Sequence, residues 1–267
     1  MKVLSLFDGI SCGRVALERA GIPVETYYSS EIDKYAIKVT QKNYPDTIQI
    51  GDVCNVNPDD YKDIDLLIGG SPCQSLSILM AQNRKNLNGK SKLFFEYLRI
   101  LKAVKPKYFL LENVASMNKE SKDTITELLG VEPVLINSDR FSAQQRERLY
   151  WTNIPVNVMD LPHCPAVLKD IMENNVNDKY FYNYPLSDID MSKQVCATME
   201  FKNYKMHKRI LNPDFKCHTL TTCGGGNTQK KVYANGKARK LTPVEYERLQ
   251  TLPQTQMGCR QRELSTY

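Results

Sequence analysis

Short apolar runs alternate with amphipathic stretches through the first part of the chain. The runs at 3–7, 26–30, 47–50, 66–69 and 108–111 read as strands, and 131–136 and 149–151 add two more. Between them, 14–20 (closed by Gly21), 34–43 (stopped near Pro45) and 93–104 carry apolar residues at helical spacing. Strands separated by helices of this length imply βαβ units and a mostly parallel sheet, the α/β class. The pattern changes near residue 160. The stretch 160–240 is rich in Asn, Asp, Lys and Tyr and has little helical period, so it reads as a smaller domain of strands and loops. A helix returns at 241–250, where Thr242 is a good N-cap, Pro243 suits the first helical position and Glu245 completes a capping box. No internal repeat is visible.

Open parallel sheets bind ligands outside the C-terminal ends of their strands. The expected first strand runs into Phe7-Asp8-Gly9-Ile10-Ser11-Cys12-Gly13, a glycine turn that lets a ligand approach the backbone. Its Gly-x-x-x-Gly spacing is not the Gly-x-Gly-x-x-Gly of dinucleotide enzymes. The second strand ends at Glu31-Ile32-Asp33, with an acid placed for ribose hydroxyls. The third ends at Gly51-Asp52-Val53, with an acid able to accept from an adenine amino group. Taken together these point to an adenosine ligand without a pyrophosphate; the alternative is a purely structural sheet.

The fourth strand leads into Gly70-Ser71-Pro72-Cys73-Gln74 and the fifth into Glu112-Asn113-Val114. A thiol and a carboxyl at neighbouring strand ends suggest nucleophilic attack on an electron-poor ring, with an acid to receive the charge. Cys73 as a small buried hydrophobe and Glu112 as a solvated loop acid are the bland alternatives.

Composition narrows the setting. Of 267 residues, 42% are hydrophobic and 25% charged, ordinary for a soluble globular chain. No apolar run reaches the roughly 20 residues needed to span a bilayer, and the N-terminus is too short in apolar residues for a signal peptide. A cytoplasmic protein with no membrane partner is expected, in a bacterium or a phage-infected cell. None of the eight cysteines forms a Cys-x-x-Cys pair, which argues against a zinc ribbon or a redox pair. Cys217, His218 and Cys223 could join a metal site, but free thiols beside a loop are the simpler reading, and no metal is expected. Net charge is +6, yet residues 201–240 alone hold ten Lys or Arg against one acid, Asp214. That block suits a polyanion partner better than a merely solvated lysine-rich face.

Phe7-Asp8-Gly9, Glu31, Asp52, Ser71-Pro72-Cys73-Gln74, Glu112-Asn113-Val114, Gln144-Gln145-Arg146-Glu147-Arg148 and Arg239-Lys240-Leu241-Thr242-Pro243-Val244-Glu245 together resemble the DNA (cytosine-5)-methyltransferase family. Their order and spacing match it from residue 3 to about 253. Ser11-Cys12 and Leu93-Phe94-Phe95-Glu96-Tyr97 look similar to the eukaryotic de novo subgroup. The resemblance implies a Rossmann-like S-adenosylmethionine-dependent methyltransferase sheet with a small irregular target-recognition domain. The domains would be 1–159 (catalytic and cofactor-binding), 160–238 (target recognition) and 239–267 (a return to the catalytic domain).

By the same resemblance, Cys73 is a thiolate that adds to cytosine C6, and Glu112 holds N3 and the amino group. Arg146 and Arg148 contact the base carbonyl and phosphates; a surface charge pair is the alternative. The base is flipped from the duplex, and 75–92 forms a lid. Phe7, Asp8, Gly9, Ile10, Glu31, Ile32, Asp52, Val53 and Pro72 would hold S-adenosyl-L-methionine. Double-stranded DNA would meet Gln74, Ser75, Thr222, Gly224, Gly225, Lys230, Lys231 and Arg239, with 219–228 as the recognition loop or, more plainly, a hairpin tip. A restriction endonuclease in the same system would be a natural partner. The tail after Pro253 lacks the family's last motif, which suggests a truncated or frame-shifted end, weaker cofactor binding and a decayed or regulatory DNA-binding relative as the competing function. A tRNA cytosine-5 enzyme is the third.

Overall fold

The computed structural model describes residues 1–71, 92–200, 205–220 and 228–252. Pro72, Cys73, Gln74, Ser75, Thr222, Gly224, Gly225, the expected lid at 75–91 and the tail from Pro253 lie outside the described residues. The chain divides into two compact units, residues 1–136 with 147–159, and 137–146 with 160–267. Residues 239–252 group with the second unit.

The first unit holds β1 (Lys2–Leu6), α1 (Cys12–Arg19), β2 (Thr26–Ser30), α2 (Lys34–Asn43), β3 (Ile48–Gln49), β4 (Leu66–Gly69), α3 (Lys92–Val104), β5 (Tyr108–Val114), α4 (Lys119–Leu129), β6 (Val134–Asn137) and β7 (Glu147–Thr152). Its sheet runs β3-β2-β1-β4-β5-β7-β6. The order reverses between β1 and β4, both parallel to their neighbours. At such a switch point the loops diverge to opposite faces and leave a crevice at the C-terminal strand ends. β7 instead pairs with β5 antiparallel. The main core contains Leu4, Leu6, Leu67, Phe94, Ile100, Leu111 and Trp151, all fully buried.

Two elements differ from expectation. β5 extends through Val114, which puts Glu112 inside the strand rather than past its end. The helix α4 had no predicted counterpart, because only Ser121 and Ile125 along it are buried and its apolar period is correspondingly weak. Its ends were nonetheless marked: Asn118 accepts from Ser121 N, and Gly130 closes it at φ 70°.

The turn after β1 is built around Asp8. Its carboxylate accepts from Ser5 Oγ (2.6 Å), Tyr27 OH (2.8 Å), Ser29 Oγ (2.9 Å) and Ser11 Oγ. Burial raises the Asp8 carboxyl above its ordinary 3.8, against the opposing pull of those hydroxyls.

The second unit holds α5 (Leu168–Ile171), β8 (Val195–Thr198), α6 (Lys205–Lys208), β9 (Arg209–Leu211), β10 (Lys231–Ala234), β11 (Lys237–Lys240) and α7 (Pro243–Leu249). Its sheet runs β11-β10-β9-β8. The expected capping box is present: Thr242 Oγ1 accepts from Glu245 N, and Glu245 accepts from Thr242 N. Glu245 also takes both prongs of Arg239, Nη1 to Oε2 at 2.8 Å and Nη2 to Oε1 at 2.6 Å, with the two side chains 1% and 0% exposed. No helix among the described residues is long and apolar enough to cross a membrane.

Two outcomes test this framework. A folded-state carboxyl titrating above its unfolded value binds its proton more tightly in the native state. Stability from Asp8 is therefore highest in acid and falls as pH rises from about 3.8 through the raised value, then levels. The difference in urea unfolding free energy between parent and Asp8→Asn should follow that course; a pH-independent difference contradicts it. Separately, Arg239→Met strands a buried carboxylate and should cost about 3–5 kcal/mol, while the Arg239→Met/Glu245→Leu pair recovers most of it. Strictly additive losses in the double-mutant cycle would show that the two side chains are not coupled.

Candidate functional site

Parallel pairing aligns Gly69 with Leu111, so Gly70, the first residue past β4, lies beside Glu112, which is still within β5. A Cβ on Gly70 would sit 3.2 Å from Glu112 Oε2, and one on Gly69 would meet the Tyr97 ring at 2.6 Å. The Gly69-Gly70 pair thus lets the β4 backbone pass close to the carboxyl on one side and a buried aromatic on the other. Asn113 is buried and donates from Nδ2 to the Ser71 carbonyl at 3.0 Å, while its Oδ1 accepts from Val114 N. This bond pins the backbone one peptide before Pro72 and two residues before Cys73.

Antiparallel register pairs Glu112 with Tyr150 and Val114 with Arg148. Glu112 and Arg148 are therefore diagonal neighbours on one face of the sheet. Arg148 Nε lies 2.7 Å from Glu112 Oε1, with the side chains 11% and 30% exposed. The Nε–H makes no directed hydrogen bond, so the contact is an ion pair rather than an aligned fork. Arg148 Nη1 donates to its neighbour's carbonyl, Glu147 O. An ion pair at this position, beside the backbone at Gly70 and Ser71, can bind the polar edge of a ring and offset charge that develops on it.

Arg146 belongs to the second unit, where its backbone is held by Asn137 Oδ1 and Ser138 N. The preceding Gln144 and Gln145 are tied there as well. Gln145 N donates to Cys217 O at 2.8 Å, and Gln145 O accepts from Thr219 Oγ1 at 2.7 Å. Lys216 Nζ reaches the carbonyls of Asp139, Ser142, Cys164 and Ala166 at 2.8–3.0 Å, knitting this segment to the loop before α5.

At the β1 edge, Phe7 and Gly9 adopt left-handed backbone, φ 57° and 61°. For a non-glycine aromatic this conformation is strained, and such strain concentrates at functional turns. Glu31 braces the turn: Oε2 accepts from Gly9 N at 2.8 Å, and Oε1 from Ile32 N and Asp33 N. Oε1 thus accepts twice, and Oε2, with one donor, keeps acceptor capacity for a further hydroxyl. Asp52 caps the short 3-10 turn Val53–Asn55 through Cys54 N. Arg99 holds that turn by donating to Val53 O and Val56 O. Ile32 is 74% exposed, whereas Ile10 and Val53 are packed inside. Asp8 faces a ring of hydroxyls and braces the turn from within.

Two expected DNA contacts need correction. Arg239 is buried and its guanidinium is taken up by Glu245. Lys231 is 1% exposed, with Nζ donating to His207 O at 2.7 Å and Gln229 O at 3.0 Å. Both cations are enclosed within the second unit, and neither is available to a phosphate. Lys230 is partly exposed. Sequence reading assigned no role to Arg99, Lys216 or the side chain of Asn113. The serines at otherwise apolar positions of β1 and β2, Ser5 and Ser29, were the available signal for the Asp8 cluster. Among the described residues no group of His, Cys, Asp and Glu is arranged to hold a metal ion.

A type II methyltransferase of Lactococcus lactis subsp. cremoris is 33% identical over 280 residues, covering 95% of this chain and 69% of that protein. An orphan methyltransferase of Bacillus phage SPR is 36% identical over 167 residues; the match covers 58% of this chain and 38% of the phage protein's length. The fold matches that of the Dnmt2 methyltransferase of S. pombe with a TM-score of 0.71 at 17% identity, covering 99% of this chain and 93% of that one. These neighbours share the Rossmann-like methyltransferase fold, and the family model for C-5 cytosine-specific DNA methylases matches residues 1–257, so the chain belongs to that family.

Proposed function

We propose that this chain transfers a methyl group from S-adenosyl-L-methionine to C5 of cytosine in double-stranded DNA. The observation that carries the reading is the β4–β5 edge. There Asn113 fixes the Ser71 carbonyl while Glu112, paired with Arg148, stands beside Gly70. Family membership gives the reaction class, and this edge supplies an acid and an anchored turn for the cysteine.

Cytosine C5 is a poor nucleophile. Addition of the Cys73 thiolate to C6 forms an S–C6 bond and moves the ring electrons toward N3 and C5. Glu112, proposed to hold N3 and the amino group, offsets the charge that develops there. C5, now enamine-like, takes the methyl group. Loss of the C5 proton to a base and departure of Cys73 as thiolate restore the aromatic ring. Arg148 orients Glu112 and meets the base carbonyl or neighbouring phosphates. The base must leave the duplex to reach this edge.

The residues at the β1–β3 ends suit an adenosine sulfonium. Phe7 offers an aromatic face, Glu31 has acceptor capacity for ribose hydroxyls, Asp52 can accept from an adenine amino group, and the Gly9 turn leaves open space at its Cα. When bound, that group supplies an electrophilic methyl. A restriction endonuclease recognising the same site is the partner that type II relatives suggest.

The test is tritiated methyl transfer from S-adenosylmethionine to duplex DNA and to tRNA. Transfer to DNA, abolished in Cys73→Ser, is expected. Transfer to tRNA alone would replace DNA as substrate, and transfer to neither would leave a non-catalytic DNA-binding relative. Glu112→Gln should lower the rate about 10²–10⁴-fold while sparing DNA affinity. Asn113→Ala, which releases the Ser71 carbonyl, should cost on the order of 10²-fold in kcat with cofactor affinity little changed. Full activity in Asn113→Ala would show that the anchored turn is dispensable.

A further inference from the structure

One cleft of the second unit has the chemistry of a base-edge reader. It encloses about 670 Å³ and is lined by Gln194, Val195, Thr198, Lys208, Arg209 and His218. Thr198 and Arg209 face each other across the antiparallel β8–β9 pair, at the end of an edge strand. Gln194 is immobilised from behind, its Nε2 donating to Gln145 Oε1 at 2.9 Å and to Lys216 O at 2.7 Å. Among the described residues no acidic side chain lines the cleft.

Two of its groups carry unused polar capacity. Arg209 is exposed, and its guanidinium has no hydrogen bond or ion pair among the described residues. His218 Nε2 is buried without a hydrogen-bond partner among them. A buried polar atom left unsatisfied calls for a reason, and a ligand edge supplies one. Burial first, then the Lys230 and Arg209 charges, push the His218 imidazole below its usual 6.5. It is therefore neutral near pH 7 and offers one donor and one acceptor.

We propose that Arg209 and His218 are specificity-determining residues that read a base pair of the DNA target through its major-groove edge, with guanine opposite Arg209. The planar guanidinium fork matches the O6 and N7 acceptors of guanine in a fixed bidentate geometry, which a flexible ammonium does not pre-organise. Neutral His218 can pair with an adjacent base edge, and Lys208 is placed to meet phosphate. B-form DNA is the occupant this chemistry selects, because the deep, narrow major groove of an RNA helix does not admit side chains. The inference rests on the DNA-methyltransferase reading and assigns target recognition to residues outside the glycine-rich segment.

The experiment selects bound duplexes from a randomised pool and, in parallel, maps methylated sites by bisulfite sequencing. Parent, Arg209→Ala, Arg209→Lys and Lys208→Ala chains are compared. Arg209→Ala should lose a guanine preference at one position, by roughly 5- to 150-fold, and keep the preferences elsewhere. Arg209→Lys retains the charge and the salt dependence but should weaken the same preference, which separates readout from attraction. Lys208→Ala should weaken all sequences alike and lower the salt slope by about one. An unchanged motif in both Arg209 variants, with DNA methylation intact, overturns this inference and leaves the methyltransferase reading standing. A parent that neither selects nor methylates duplex DNA overturns both. Arg209 is on the surface, so matching melting curves for the variants exclude misfolding as the cause of a lost preference.

Discussion

Parallel alignment of β1, β4 and β5 is the constraint on which the rest depends. With Leu6 aligned to Gly69 and Gly69 to Leu111, β1 and β4 end at one level while β5 runs on to Val114. Their next residues then share an edge whatever the helices between them look like. The glycines at 69 and 70 are what this alignment demands, since a side chain at either would meet Tyr97 or Glu112. The antiparallel β7 completes the edge from the opposite direction. Only a strand starting where β5 ends can place its second residue, Arg148, diagonally across from Glu112. A parallel strand at that position would deliver its C-terminal residues there and keep its first ones at the far side of the sheet.

Charge in the second unit is used differently from what its density suggests. The basic run from 201 to 240 looks like a continuous polyanion surface in sequence. In the fold, Arg239 is spent on Glu245, Lys231 on two carbonyls, and Lys216 on four. A small, loop-rich unit with few regular elements has many backbone carbonyls to satisfy, and long cationic side chains reach them from a distance. Lysine density therefore reports partly on internal satisfaction and only partly on a nucleic-acid face. Arg209, exposed at the β8–β9 end, was indistinguishable by composition from the buried cations on either side of it.

The strand ends were legible because apolar runs of four or five residues bounded by glycine or acid have few alternative readings. Glu31, Asp52 and Glu112 could be placed at one sheet edge on that basis. The diagonal partnership of Glu112 with Arg148 could not, because it needs the direction of β7, and two apolar residues flanked by Arg and Tyr carry no directional signal. The helix α4 escaped for a related reason: only Ser121 and Ile125 along it are buried, and caps without a clear apolar period do not mark a helix. Asp8 shows a third limit. A strand-end acid points to a ligand or to its own turn with equal ease, and the serines at 5 and 29 decide the matter only once β1 and β2 are known to be neighbours.

Strand alternation gives Glu112-Asn113-Val114 its economy. Successive side chains leave opposite faces of β5, so Glu112 meets Arg148 on one face while Asn113, buried on the other, holds the Ser71 carbonyl. The proposed acid and the residue that anchors the Ser71 carbonyl are thus adjacent residues of one strand. Their separation is set by one peptide unit and a parallel register, both stiff, rather than by packing between elements that can slide.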